Sequence, residues 1–281
     1  MEAKVRWRKL WAQYGLGMDS AALAAIAPWK HGVVAVVALA GGFVNSIAGG
    51  GSLLTFPTLI WVGIPPVTAS ATNTVGLWAG SLGGVVGFRR HLPERSVIML
   101  LGAPSLLGGI IGAVLLLRTP QNIFEALAPV MVLMATVLLA VQEPLAKRIT
   151  RGSLVGERTP GFVAAAVVFQ LLIGVYGGFF GAGIGIMMLA ALAVLGLTDI
   201  HQMNGLKNVL AIIINGLAAV YFVTQGAVMW TDATIMAVAS IAGGLGGAAL
   251  ANRLGRRLVR HAVIAIGIAA SFSLLLKFLG D

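Results

Sequence analysis

Cysteine is absent from the 281-residue chain, which removes disulfides, thiolate metal ligands and a cysteine nucleophile at once. Charge is scarce too: 10% of residues are charged, against roughly a quarter in soluble domains. With 58% hydrophobic residues and a mean hydropathy of +0.96, a soluble fold is excluded. Acidic groups are the rarest charges, nine against 19 lysines and arginines. None of the nine sits in the middle of an apolar stretch: Glu125 and Asp199 read as first-turn residues, and Glu94, Glu143, Glu157 and Asp232 as loop residues. No buried carboxylate is therefore expected. His31, His91, His201 and His261 also fall at segment ends or in loops. No serine–histidine pair, carboxylate dyad or metal cluster can be assembled within the membrane, so neither an enzyme, a cofactor nor a metal is expected.

What remains is apolar sequence. Uncharged segments run over about 33–48, 52–64, 66–88, 97–117, 122–141, 161–180, 184–197, 200–224, 233–252 and 262–279. Many approach the ~20 residues a helix needs to cross the hydrocarbon core. The expected fold is an all-α integral membrane protein of about ten segments, multi-pass in a bacterial inner membrane. The net charge of +10 is gathered in clusters between apolar runs, which gives nucleic-acid binding little support. Residues 1–30 hold Lys4, Arg6, Arg8, Lys9 and Lys30 with Trp7, Trp11 and Tyr14 interleaved, a basic amphipathic segment expected at the lipid interface.

Two glycine clusters interrupt the apolar pattern. Gly49-Gly50-Gly51 separates 33–48 from 52–64, and Gly181-Ala182-Gly183 separates 161–180 from 184–197. Such clusters break helices. The segments after them are too short to cross a core of ~30 Å, and backbone that stops inside a bilayer must be buried in protein or line a wet cavity. The order of features recurs as well. Gly41-Gly42-Phe43, the first break, Gly63, Asn73 and Phe88 are followed in the second half by Gly177-Gly178-Phe179, the second break, Gly196, Asn208 and Phe222. Chance similarity between glycine-rich apolar stretches is the competing explanation. The expected organisation is a first membrane repeat over 31–141, a basic cytoplasmic linker over 142–160 and a second repeat over 161–281, each repeat beginning with a glycine-broken pair of short helices.

The loops give an orientation. Arg89, Arg90 and Arg95 share one loop, Lys147, Arg148, Arg151 and Arg158 another, and Arg253, Arg256, Arg257 and Arg260 a third, whereas 225–232 has no cation. The positive-inside rule makes the first three cytoplasmic. Segment 66–88 then runs inward and its counterpart 200–224 outward, so the repeats are inverted, as in many secondary transporters. Ten crossings would place the basic N-terminus outside, against the same rule. Either the tail breaks the rule, or 10–28 adds a crossing, or the first broken pair counts as one crossing.

Lys207 is the one cation well inside an apolar segment. With Asp199 as helix cap and Gln202 completing a capping box, it lies about 12 Å along its helix. A lysine at that depth costs roughly 2.5–3.5 kcal/mol on insertion scales and should face a cavity, a partner or a substrate; snorkelling is the alternative. Asn73 and Asn208 offer amide donors at equivalent places, or simply interhelical hydrogen bonds. Thr72, beside Asn73, aligns with Lys207. The segments Asn45-Ser46-Ile47-Ala48-Gly49-Gly50-Gly51-Ser52 and Gly181-Ala182-Gly183-Ile184-Gly185 supply bare backbone N–H groups and new helix N-termini, which bind anions. Glycine runs such as Gly243-Gly244 and Gly246-Gly247 are read as close helix packing instead. A small anion is the expected substrate.

The stretch from Gly42 to Pro57, GFVNSIAGGGSLLTFP, with Ala69-Ser70-Ala71-Thr72-Asn73-Thr74-Val75, resembles the first repeat of the sulfite exporter TauE/SafE family. Asn204-Gly205-Leu206-Lys207-Asn208-Val209-Leu210 is similar to its second repeat, and the resemblance spans about 33–280. The second break departs from the pattern: it lacks a counterpart of Pro57 and carries Ile184 within its glycine run. The resemblance implies transport, often outward, of sulfite, sulfoacetate or related organosulfonates, with the glycine breaks and the following helices enclosing the substrate. An anion channel and a membrane sensor or scaffold without transport stay open, as does the oligomeric state.

Overall fold

The computed structural model describes residues 28–47, 49–151, 160–194, 197, 199–250 and 256–280. Most of the basic N-terminal segment and the end of the expected linker lie outside the described residues. Among the described residues there are ten α-helices and no strand. They are α1 (Pro28–Ile47), α2 (Ser52–Trp61), α3 (Pro66–Phe88), α4 (Arg95–Arg118), α5 (Gln121–Arg151), α6 (Pro160–Phe179), α7 (Ile184–Val194), α8 (Ile200–Thr224), α9 (Trp230–Leu250) and α10 (Arg256–Gly280). Each expected apolar segment becomes one helix. α5 runs on to Arg151, so Glu143 and the first part of the expected linker are helical rather than loop.

Five spans, Pro28–Ile47, Arg95–Arg118, Gln121–Val141, His201–Thr224 and Val259–Leu279, are long and apolar enough to cross a membrane. α2 is only ten residues and α7 eleven. At 1.5 Å per residue each reaches about half of a ~30 Å core. α2 folds back along α1: the Trp61 ring at its end meets the Trp29 ring at the start of α1 at 5.9 Å, edge to face, and Lys30 Nζ donates to Val62 O. The first pair of helices is thus a hairpin whose outer ends lie together.

Outward-facing rows of the helices carry large apolar residues, and the closest helix contacts are made by small ones. On α4, Leu107, Ile111 and Leu115 are exposed, four residues apart, while Gly108, Gly109 and Gly112 are buried. Lipid solvates the outer row. The buried row lets backbones touch, which is how membrane helices gain van der Waals energy without a hydrophobic driving force. A Cβ on Gly108 would lie 2.8 Å from Gly174 Cα, and one on Gly109 2.7 Å from Ile214 O, so α4 lies against both α6 and α8. α9 repeats the device: Gly243, Gly244 and Gly247 press on Leu39, Gly80 and Phe43, placing α9 against α1 and α3. α3 also packs on α8, and α5 on α10. Between them Phe56, Phe124 and Phe180 form an edge-to-face cluster, with Phe56 and Phe180 5.0 Å apart.

Candidate functional site

Both helix breaks have the backbone that only glycine takes without strain. Gly49 has φ +81° and donates to Val44 O and Asn45 O; Gly181 has φ +76° and donates to Tyr176 O. The two breaks touch. A Cβ on Gly49 would lie 2.6 Å from Gly185 Cα, and one on Gly185 the same distance from Gly49 Cα. Gly51 packs on the Gly41 carbonyl, Gly183 on Ala135 of α5, and Gly50 against Val263, Leu139 and Leu53.

Beside this contact lies a small polar cavity lined by Asn45 and Ser52, Asn73, Thr74 and Leu77 of α3, Gly181, Ile184 and Gly185, and Lys207, Asn208, Ala211 and Asn215 of α8. Its volume is about 10 Å³, enough for about one water. Ser52 opens α2, and Ile184 and Gly185 open α7, so two helix N-termini with their partial positive charge border the cavity.

Lys207 is fully buried, and its ammonium donates to Asn45 O at 2.9 Å, Ser46 O at 3.1 Å and Asn204 Oδ1 at 3.1 Å. Two of these acceptors are carbonyls in the last turn of α1, where a cation offsets the negative end of the helix dipole. Lys207 therefore joins α8 to the first break and does not snorkel. Asp199 caps α8, accepting from His201 N at 2.8 Å. The Thr55 hydroxyl donates to Asn73 Oδ1, and an amide held by its oxygen has its two N–H donors at the other end. Asn208 Nδ2, Asn215 Oδ1 and Ser46 Oγ are buried with no hydrogen-bond partner among the described residues.

Of the residues the sequence singled out, the cavity collects Asn45, Ser52, Asn73, Gly181, Gly185, Lys207 and Asn208. Gly49, Gly50, Gly51 and Gly183 build the breaks behind it, while Ser46 and Asn204 reach it through Lys207. Thr72 does not line it: its hydroxyl accepts from Met229 N at 3.0 Å, next to the start of α9. Thr74 and Asn215 are cavity residues that the sequence reading passed over. Asn215 was findable, because it follows Asn208 by two turns on the same face of one helix. The expectation that no carboxylate is buried is also overturned. Asp232 lies in the first turn of α9, fully buried, 2.9 Å from His31 Nδ1.

Known proteins agree with this architecture. The family model described as sulfite exporter TauE/SafE matches residues 34–274, from α1 to α10 and across both breaks. The chain belongs to the TauE/SafE family. Its relatives include the probable membrane transporter protein YfcA of Escherichia coli K12, 27% identical over 251 residues that cover 89% of this chain and 91% of that one. Another is the probable membrane transporter protein ORF9 of a Sinorhizobium species, 28% identical over 85% of this chain and 90% of its own. A third comes from Haemophilus influenzae, 27% identical over 81% and 88%. No solved structure matches this TauE/SafE chain.

Proposed function

We propose that the protein is a secondary transporter, working mainly as an exporter, for a small sulfur oxyanion such as sulfite or an organosulfonate. The observation that carries this reading is the meeting of the two helix breaks at Gly49 and Gly185, beside a cavity bordered by helix N-termini, amides and one ammonium. These groups suit a dehydrated anion and include no carboxylate to repel it. Room for about one water is too little for a sulfonate, so binding requires the walls to part, which supports alternating access over a static pore. An anion leaving a cell whose interior is negative gains about 2.3 kcal/mol per charge per 100 mV, so export needs no coupling ion.

Inverted repeats are supported by the spacing of the helix starts. Pro28 and Pro160, Ser52 and Ile184, Pro66 and Ile200, Arg95 and Trp230, and Gln121 and Arg256 stand 132 to 135 residues apart in sequence. Packing follows the same exchange, since α4 meets α6 and α8 as α9 meets α1 and α3. The interval between α3 and α8 pairs Asn73 with Lys207, Thr74 with Asn208 and Leu77 with Ala211, and all six border the cavity. That match is one residue away from Asn73 with Asn208, the pairing the sequence suggests. The α1 and α6 starts likewise pair Gly42 with Gly174, one turn from the pairing suggested by the Gly-Gly-Phe motifs.

Purified protein in liposomes is expected to release sulfite or sulfoacetate saturably, with sulfate, thiosulfate and acetate as competitors. Absence of flux for every member of that panel would remove the transporter reading, and stepwise single-channel currents would replace the carrier with a channel.

A further inference from the structure

The His31 and Asp232 pair takes no part in the cavity. Asp232 is fully buried in the first turn of α9, with Oδ1 2.9 Å from His31 Nδ1 of α1 and Oδ2 without a partner among the described residues. The His31 side chain is 26% exposed, so the imidazole reaches water and the carboxylate does not. The remaining charge nearby on α1 is Lys30, whose ammonium is on Val62 O, and α3, the other helix packed on α9, has no titratable side chain. Among the described residues His31 is thus the counter-charge of Asp232. The cation-free loop 225–232, and the arginines at the far end of α3, put this end of the protein outside by the positive-inside rule, against the basic residues 1–30 that precede α1.

The same positions in the other half are apolar. The helix-start intervals that pair α1 with α6 and α9 with α4 match His31 to Val163 and Asp232 to Val97, both half-buried. Among the described residues α4 and α6 pack together closely without an ion pair, so packing of this helix pair does not require one. A buried carboxylate is costly unless it is paired. Its presence at one end only calls for another explanation.

The geometry points to a proton-operated latch on the outer face, in which protonated His31 holds the α1–α2 hairpin against α9 and deprotonated His31 releases it. With the imidazole charged, the pair is neutral overall. When the imidazole gives its proton to the outside water, Asp232 is left as an uncompensated buried charge, and the arrangement in which α1 moves aside and water reaches the carboxylate is favoured. Histidine side chains in general change charge between roughly pH 5 and 8, the interval over which the test below is run. The latch rests on the described contacts, its asymmetry on the proposed repeats and its outer placement on the orientation; its consequence for flux rests on the transport reading.

The lack of native cysteine makes a direct test available. Trp29 and Trp230, at the starts of α1 and α9, are both 59% exposed. Spin labels on Trp29→Cys and Trp230→Cys in liposomes, without any anion, report the α1 to α9 separation. A longer-distance population is expected to appear between pH 5 and pH 8. It should be lost in H31V/D232V, which copies the valines of the other half, and present at both pH values in His31→Gln, which leaves Asp232 without a counter-charge throughout. Identical distance distributions at both pH values, or an equal response in H31V/D232V, would overturn the latch. Absence of anion flux alongside a pH-dependent separation would count against the transport reading and leave the latch standing.

Discussion

Gly49 and Gly185 meet Cα against Cα, one from each half of the chain, at a separation that leaves no room for a methyl group on either. Gly49→Ala is doubly unfavourable, since it adds a clash and forces φ +81° on a residue with a side chain. Overpacking costs about 1–3 kcal/mol and the left-handed backbone roughly 1–2 more. The expected outcome is a lower melting temperature in detergent together with lost flux. Gly63→Ala serves as the control: it shares the positive φ, +106°, and has open space around it. It should therefore lose stability without losing transport.

Lys207→Met should be the most damaging change at the cavity. It removes three donated hydrogen bonds and leaves the Asn45 and Ser46 carbonyls without their cation. Stranded buried acceptors cost about 1–3 kcal/mol each. Sulfite efflux from liposomes is expected to fall by at least about tenfold, with a lower melting temperature. Normal efflux in this variant would remove Lys207 from the site.

Asn208 and Asn73 separate binding from stability. Asn208 Nδ2 has no protein partner among the described residues, so Asn208→Ala should leave thermal stability nearly unchanged while raising the half-saturating sulfite concentration about tenfold. Asn73→Ala, in contrast, also breaks the bond from Thr55 and should cost about 1 kcal/mol of stability. Equal destabilisation in the two variants would mean that Asn208 acts in packing.

Thr72→Val tests the geometry against the sequence reading. Its hydroxyl serves the Met229 N–H, so the variant should lose about 1 kcal/mol of stability and keep its half-saturating concentration. Thr74→Val, on the cavity wall, should show the reverse in transport assays.

Much of this architecture was legible because lipid imposes simple rules. Apolar runs free of charge become helices, and glycine clusters stop them, so the ten helices and the two breaks could be located from composition along the chain. The depth of Lys207 was readable for the same reason: a lone cation in an apolar run has few other places to be. Azimuth was less legible. Each residue on a helix is a rotation of about 100°, so the two-residue step from Thr72, turned to Met229, to Thr74, turned to the cavity, crosses to the opposite side of α3. Asp232 was hidden for another reason. Its proximity to a loop in sequence suggested exposure, but α1, some two hundred positions earlier, covers it.

The glycine contacts of α4 and α9 have a consequence for how the chain divides. α4, from the first half, is embedded among helices of the second, and α9, from the second, is embedded among helices of the first. On the proposed alternating access, the bodies that swing against each other are the triplets α1, α3, α9 and α4, α6, α8, with only the outer end of α1, beyond its glycine contacts with α9, left to part at the latch, and each triplet is drawn from both parts of the gene product. A fragment ending after α5 would expose the grooves meant for α9 and present α4 with nothing to grip. Such fragments should accumulate only when both are produced together, as two strands of one clasp.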